Sequence, residues 1–184
     1  ELCLADLAQI EKRRQRLKKQ AKSSNQALLE DQLLERLQTS LETGESVRKI
    51  NMSNDEWNII KPLGLLTSKP IIYAQNLGEE DLANGNSLSE EIKRLAIEED
   101  AQSVNISAQV EAELIELSEE EQIDYLDGIG VKEGGMQGLI KATYELLGLR
   151  TYFTSGEKET RAWTIKAGMT APQAAGVIHT DFEK

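Results

Sequence analysis

The hydrophobic pattern of the chain changes period near residue 70, and this change constrains the fold more than any other feature. Residues 71–74 (Ile-Ile-Tyr-Ala) are apolar on both faces of a predicted strand, as is typical inside a parallel sheet. A helix capped at Ser87 and a second strand over 103–108 follow. Strand, helix and strand at this spacing predict a βαβ unit, and therefore an α/β fold.

The first 43 residues carry a helical period instead. Apolar side chains recur every seven positions at Cys3, Ile10 and Leu17, and then at spacings of three and four. A short polar link at 23–25 separates two such runs. We therefore predict two amphipathic helices in an antiparallel hairpin, a helical arm with a short coiled-coil seam.

The C-terminal segment changes character again. Strand-like runs at 150–154 and 161–165 flank a turn at Gly156, and a helix is predicted to begin near Thr170. Two strands and one helix are too little for an independent domain, so we expect the fold to continue beyond Lys184.

Composition limits the class of protein. With 39% hydrophobic and 29% charged residues, the 184-residue chain is typical of soluble globular proteins. It has no apolar run near the roughly 20 residues that span a bilayer, and no leader is apparent, so we expect no membrane contact. The single cysteine, Cys3, excludes an internal disulfide and a Cys-based zinc site. We expect a cytoplasmic, monomeric protein.

Two neighbouring predicted strands end in polar residues. The first ends at Asn76, followed by Leu77, Gly78 and Glu79, at the place where G proteins carry an Asn-Lys-x-Asp box that grips guanine. The lysine is missing, and Glu79 is one methylene longer than aspartate. Asn76 could instead only terminate its strand, as asparagine often does.

Four segments resemble the YchF family, the Obg-like ATPases, over essentially the whole chain. They are ADLAQIEKRRQRLKKQAK, LLTSKPIIYAQNLGE, ISAQVEAELIEL and LGLRTYFTSGEKETRAWTIKAGMTAPQAAGVIHTDFEK. The resemblance implies the C-terminal part of a P-loop G domain, with a helical hairpin inserted in it and the start of a β-grasp TGS domain after it. On that reading 1–66 is the helical arm, 67–147 the part of the G domain with the base-recognition loops, and 148–184 a truncated TGS domain.

The resemblance also implies a function for the parent protein. It would be a ribosome-associated ATPase that prefers ATP, tolerates GTP and acts as a translation-linked or stress-linked switch. The sequence has no G-x-x-x-x-G-K-[ST] motif. The P-loop, the magnesium ligands and the proposed catalytic histidine would therefore precede Glu1. We expect no catalytic or metal-binding residue in this fragment, and no activity from it alone.

The resemblance assigns the base site residue by residue. Asn76 would contact the purine edge, Leu77 would pack on the ring, and Glu79 would no longer enforce guanine. Ser107 and Ala108 resemble the second base loop, in which backbone amides meet the purine. The sole histidine, His179, follows a short helix far along the chain, and we expect it to have a packing or hydrogen-bonding role.

A basic run on the first helix offers a second function. Net charge is −11, which argues against nonspecific nucleic-acid binding by the whole chain. Seven basic residues nevertheless lie close together without an acid among them: Lys12, Arg13, Arg14, Arg16, Lys18, Lys19 and Lys22. They could contact ribosomal RNA, and the chain could be a non-enzymatic RNA-binding or ribosome-binding module. Alternatively they form a solvated helix balanced by the acidic second helix.

Overall fold

The computed structural model describes residues 1–20 and 24–183. The chain forms two compact units, Glu1–Pro70 and Ile71–Lys184. The first unit is helical, with helices α1 (Leu2–Gln20), α2 (Asn25–Glu42) and α3 (Asn54–Ile60) and short 3-10 turns at Val47–Lys49, Lys61–Leu63 and Leu66–Ser68.

The first two helices run antiparallel, as predicted. Arg13 on α1 contacts Glu30 on α2 at 2.7 Å, and Cys3 near the start of α1 lies against the Gly44 carbonyl just past the end of α2. The seven-residue repeat forms the core, because Ile10 and Leu17 are fully buried. They pack with Leu34, Leu37 and Leu41 of α2 in one hydrophobic cluster.

A buried carboxylate closes the first unit. Asp6 on α1 is 1% exposed and accepts hydrogen bonds from the Leu66 and Thr67 backbone N–H groups at 2.8 and 2.7 Å. The Thr67 hydroxyl donates a third bond to it at 2.6 Å. Because these donors satisfy the carboxylate, Asp6 fixes the returning chain against α1.

The second unit is α/β. Its elements are β1 (Ile72–Asn76), α4 (Glu79–Leu82), α5 (Ser87–Glu98), β2 (Gln102–Ile106), α6 (Ala108–Leu114), α7 (Glu119–Gly128), α8 (Gly135–Leu146), β3 (Leu149–Ser155), β4 (Thr160–Lys166), α9 (Ala171–Gly176) and a 3-10 turn at Thr180–Glu183. Strands β1 and β2 pair in parallel, from Ile72 opposite Gln102 to Asn76 opposite Ile106. Strands β3 and β4 form the predicted antiparallel hairpin.

Among the boundaries that differ from the sequence prediction, two have a clear local cause. The second strand ends at Ile106, because Ser107 leaves the strand to cap α6, its hydroxyl accepting from the Val110 N–H. Helix α5 is capped by Asn86 and not by Ser87, since the Asn86 side chain accepts from the Ser89 N–H. Both changes follow from local side-chain bonds that compete with strand or helix geometry. Within the described ranges, no helix is long and apolar enough to cross a bilayer.

Candidate functional site

The two predicted base loops meet where β1 and β2 end. The Leu77 N–H donates to the Ile106 carbonyl at 2.8 Å, extending the strand pairing by one residue. The Ala108 N–H then donates to Asn76 Oδ1 at 2.9 Å. One asparagine side chain therefore ties the two loops together at the carboxyl edge of a parallel pair, where α/β sheets bind their ligands.

Exposure separates the residues that can touch a ligand from those that support them. Asn76 and Ala108 are exposed, and Leu77 is half-buried with apolar surface still accessible. Ser107 is 1% exposed and its hydroxyl caps α6. Ser107 therefore holds the shape of the second loop, while the other three can face a bound molecule.

The hydrogen bond to Ala108 defines what the Asn76 side chain can offer. A backbone N–H can donate only to the amide oxygen, so Nδ2 is the end of this side chain that remains available as a donor. Because the Ala108 N–H already donates to Asn76, the carboxyl edge of the strand pair offers a ligand the Asn76 side-chain N–H in place of the Ala108 backbone N–H. This arrangement can recognise an acceptor atom on a planar heterocycle.

Glu79 lies in a different environment from the other residues of its box. It begins α4 after Gly78, and it is half-buried. On α7, the Tyr125 hydroxyl donates to Glu113 Oε2 at 2.8 Å. The hydrogen bond to Glu113, burial and the charges of Glu113 and Glu79 raise the pKa of Tyr125 to about 12.

Helix α8 supports the end of β2 from one face. Gly135, at the first position of this helix, packs so closely that a Cβ there would lie 2.8 Å from Ile106 Cα. The Met136 N–H also donates to Glu111 on α6 at 3.2 Å. The second loop is thus fixed between β2, α6 and α8.

A cleft of about 690 Å³ runs along β1 beside α5. The Gln75 Nε2 atom on β1 is buried without a hydrogen-bond partner among the described residues. In that part of the chain β1 pairs only with β2. The other edge of β1 is therefore open for pairing.

The basic run divides into paired and exposed residues. Arg13 is bound to Glu30, and this hydrogen bond raises the pKa of the Arg13 guanidinium. Arg14 lies 3.0 Å from Asp31 and 2.7 Å from Glu35, with 12% of its side chain exposed. Burial by itself lowers the pKa of Arg14, but the bonds to the two carboxylates and their charges outweigh it, so the pKa is raised.

The other predicted contacts of the basic run are exposed or not described. Lys12, Arg16 and Lys18 are exposed. Lys22 and the side chain of Lys19 lie outside the described part of the structure. The outward surface of α1 therefore carries basic side chains beside a network that joins α1 to α2.

Two further expectations concern histidine and metals. His179 is exposed, and its Nδ1 accepts from the Asp181 N–H at 3.2 Å.

Across residues 1–20 and 24–183, no group of three or more His, Cys, Asp or Glu side chains is arranged to hold a metal ion.

Sequence alone missed Tyr125 and Gly135 as parts of the site's support. Tyr125 lies in an acidic helix with no motif around it, and only the folded structure brings it against Leu82 of α4 and Leu114 of α6. The Gly134-Gly135 pair before a helix was a visible signal, because consecutive glycines often mark a close backbone approach.

Comparison with known proteins gives one consistent result. The family model YchF-GTPase_C, described as a protein of unknown function, matches residues 149–184. The ribosome-binding ATPase YchF of Bacillus subtilis (strain 168) is 43% identical over 187 residues, covering 100% of this chain and 51% of that protein. The protein of the same name from Haemophilus ducreyi is 45% identical over 185 residues, with the same coverage.

A solved structure agrees in fold. The YchF GTPase of Schizosaccharomyces pombe matches with a TM-score of 0.85 at 37% identity, covering 100% of this chain and 51% of that one. The chain spans about half the length of the curated relatives it matches.

Proposed function

Since this chain belongs to the YchF family, we propose that it is part of a ribosome-associated ATPase that prefers ATP to GTP, and that the loops ending β1 and β2 hold the purine base. Relatives that match the whole chain are named ribosome-binding ATPases, and they are about twice its length. The triphosphate and its Mg²⁺ would be bound by residues outside this sequence, which contains no G-x-x-x-x-G-K-[ST] motif.

The observation that carries the proposal is the bond from the Ala108 N–H to Asn76 Oδ1. It leaves Asn76 Nδ2 to donate to N7, an acceptor that adenine and guanine share. Guanine also carries an acceptor at O6, where adenine carries an amine. Because the Ala108 N–H already donates to Asn76 Oδ1, it cannot donate to guanine O6. Guanine therefore leaves its O6 acceptor without this donor, and the site favours adenine.

Leu77 completes the contact with the base. Its side chain is branched and apolar where G proteins place a lysine, and it retains accessible surface beside Asn76. An apolar group at this position can lie against either purine ring. It therefore adds affinity without selecting between ATP and GTP, and selection is left to the polar edge.

We also propose the domain assignment implied by the family. Residues 1–66 would be the inserted arm, 67–147 part of the G domain, and 148–184 the start of the TGS domain. The open edge of β1 and the cleft beside it support this assignment, because a G-domain sheet has further strands to place there. A two-stranded pair by itself is only marginally stable in water.

The experiment is equilibrium binding of ATP and GTP to the full-length protein, using displacement of a fluorescent nucleotide. Asn76→Ala should weaken both nucleotides by about tenfold, because it removes the N7 donor and the bond between the loops. Asn58→Ala, an exposed asparagine on α3, is the matched control and should change neither. Unchanged affinity in Asn76→Ala, or GTP binding tenfold tighter than ATP in the wild type, would overturn the proposal.

A second candidate is the RNA-binding or ribosome-binding module, favoured by the exposed side chains of Lys12, Arg16 and Lys18. Reversing these three charges should weaken ribosome binding. The slope of the logarithm of the binding constant against the logarithm of the salt concentration should become shallower by about 0.9 for each phosphate that is no longer neutralised. Arg13 and Arg14 should be left in place, because reversing them would break the pairs with α2. Salt-independent binding would reject this role.

A further inference from the structure

Glu111 joins two helices next to the second base loop. It lies on α6, where its backbone N–H donates to the Ser107 carbonyl at 2.9 Å in the first turn of the helix. Its side chain reaches out of this helix, and Oε1 accepts from the Met136 N–H on α8 at 3.2 Å. A Cβ on Gly134 would lie only 3.2 Å from the same oxygen, so the glycine leaves room for the carboxylate.

Glu111 provides the cap that the sequence of α8 does not supply. The residue before this helix is Gly134, which has no side chain to accept a hydrogen bond, and the first turn of α8 contains no acidic residue. The first N–H groups of a helix have no partner within it, and they favour a negative charge nearby. Because Glu111 offers both an acceptor and a charge from another helix, its bond orients α6 and α8 relative to each other.

Both ends of this connection lead to the base loops. On α8, Gly135 packs so closely on β2 that a Cβ there would lie 2.8 Å from Ile106 Cα. On the other side, α6 begins with Ala108, whose N–H donates to Asn76 Oδ1 at 2.9 Å. Glu111 therefore ties the turn that carries this donor to a helix that is anchored on the end of β2.

We propose that Glu111 is a positioning residue for purine selection, which holds the Ala108 N–H against Asn76 Oδ1. The inference rests on the proposed function of the two loops. While Ala108 donates to Asn76, it cannot donate to guanine O6. Without the bond between α6 and α8, the first turn of α6 gains freedom, and the Ala108 N–H can turn toward the O6 atom of a bound guanine. Loss of the Glu111 side chain therefore weakens the preference for adenine.

The first test is the ratio of the dissociation constants of GTP and ATP for the full-length protein and its variants. Glu111→Ala should lower this ratio by about fivefold, the discrimination expected from one hydrogen bond to a base edge. Glu111→Asp should lower it too, because its side chain is one methylene shorter and its oxygens are drawn back from α8. Glu111→Gln should keep the ratio within about twofold of wild type, since an amide oxygen also accepts from the Met136 N–H.

The second test follows the Ala108 donor itself, without nucleotide. In ¹⁵N-resolved proton spectra of the full-length protein, a backbone amide proton moves upfield when its hydrogen bond weakens. The Ala108 amide proton should therefore move upfield in Glu111→Ala and stay in place in Glu111→Gln. An unmoved Ala108 amide in Glu111→Ala overturns the inference, whether or not the protein binds a nucleotide.

A control separates positioning from general damage. Glu116→Ala removes an exposed glutamate just past the end of α6, and it should change neither the ratio nor the Ala108 amide. Equal weakening of ATP and GTP in Glu111→Ala overturns the inference, as does a shift in Glu116→Ala as large as that in Glu111→Ala. Glu111→Gln behaving like Glu111→Ala overturns it as well. A wild-type protein that binds neither nucleotide refutes the proposed function itself, and the Ala108 amide then still decides the inference, so the two failures are distinguishable.

Discussion

Gly135 provides a quantitative test of how the second loop is held. A Cβ at this residue would lie 2.8 Å from both Cα and Cγ2 of Ile106, and 2.9 Å from its Cβ. The obstructing atoms belong to the backbone and to a branched side chain at the end of β2, so no flexible group can move aside. We expect Gly135→Ala to force α8 away from the strand, at a cost of about 1–3 kcal/mol.

Gly138 is the matched control for this substitution. It lies one turn further along the same helix, where a Cβ would meet only Val104 Cγ1 at 3.4 Å, an ordinary contact. Alanine is the better helix former, so Gly138→Ala should stabilise the protein by about 0.5–1 kcal/mol. The two glycine-to-alanine changes should therefore have opposite signs.

The assay is thermal unfolding followed by circular dichroism for the chain and both variants. A chain of this size loses about 2–4 °C in Tm per kcal/mol, so a cost of about 1–3 kcal/mol should lower the Tm of Gly135→Ala by roughly 2–12 °C. Gly138→Ala should melt at or slightly above the wild-type temperature. If Gly135→Ala melts at as high a temperature as Gly138→Ala, then α8 does not pack against β2 as closely at Gly135 as described here.

Three further predictions concern the stability of both units. Asp6→Ala should lower the free energy of unfolding in urea by at least about 2 kcal/mol, because buried N–H and O–H donors lose their acceptor. The control, Asp55→Ala at an exposed residue, should lower it by under about 1 kcal/mol. Equal losses in the two variants would contradict this prediction. By the same measurement, Arg14→Ala should lower the free energy of unfolding by about 1–2 kcal/mol, because it breaks the ion pairs with α2. Arg16→Ala, at an exposed residue, should lower it by under about 0.5 kcal/mol. A larger loss in Arg16→Ala than in Arg14→Ala would refute the pairing of α1 with α2 through Arg14. Folding raises the pKa of Tyr125 from near 10 to about 12, so its stabilising contribution is complete below about pH 10 and is lost as pH rises through 12. An ultraviolet titration against Tyr125→Phe checks this shift, and a midpoint near 10 would exclude it.

Strong local patterns predicted most of the secondary structure. The repeat at Cys3, Ile10 and Leu17 indicated the first helix and its buried side, because one side of a helix must be apolar to pack. The apolar run before Asn76 indicated a strand of a parallel sheet, which pairs with β2. In each case the signal and the structure it predicts lie within the same short segment.

The parts that were not predicted depend on contacts between distant segments. Nothing near Asn76 indicates that its side chain accepts from the Ala108 N–H, since the bond exists only once β1 and β2 are paired in register. Likewise, nothing near Tyr125 in the sequence indicates that its hydroxyl donates to Glu113 on α6. The basic run suggests Arg14 as a nucleic-acid contact, yet its partners lie on the returning helix.

The most direct test of the base site is a ¹⁵N spectrum of the full-length protein, titrated with ADP. If the two loops hold the purine, the Asn76 side-chain amide and the Ala108 backbone amide should shift as the nucleotide binds. The amides of the β3–β4 hairpin should stay in place. Binding of ADP that leaves both Asn76 and Ala108 unmoved would contradict the assignment of this edge as the nucleotide-base site.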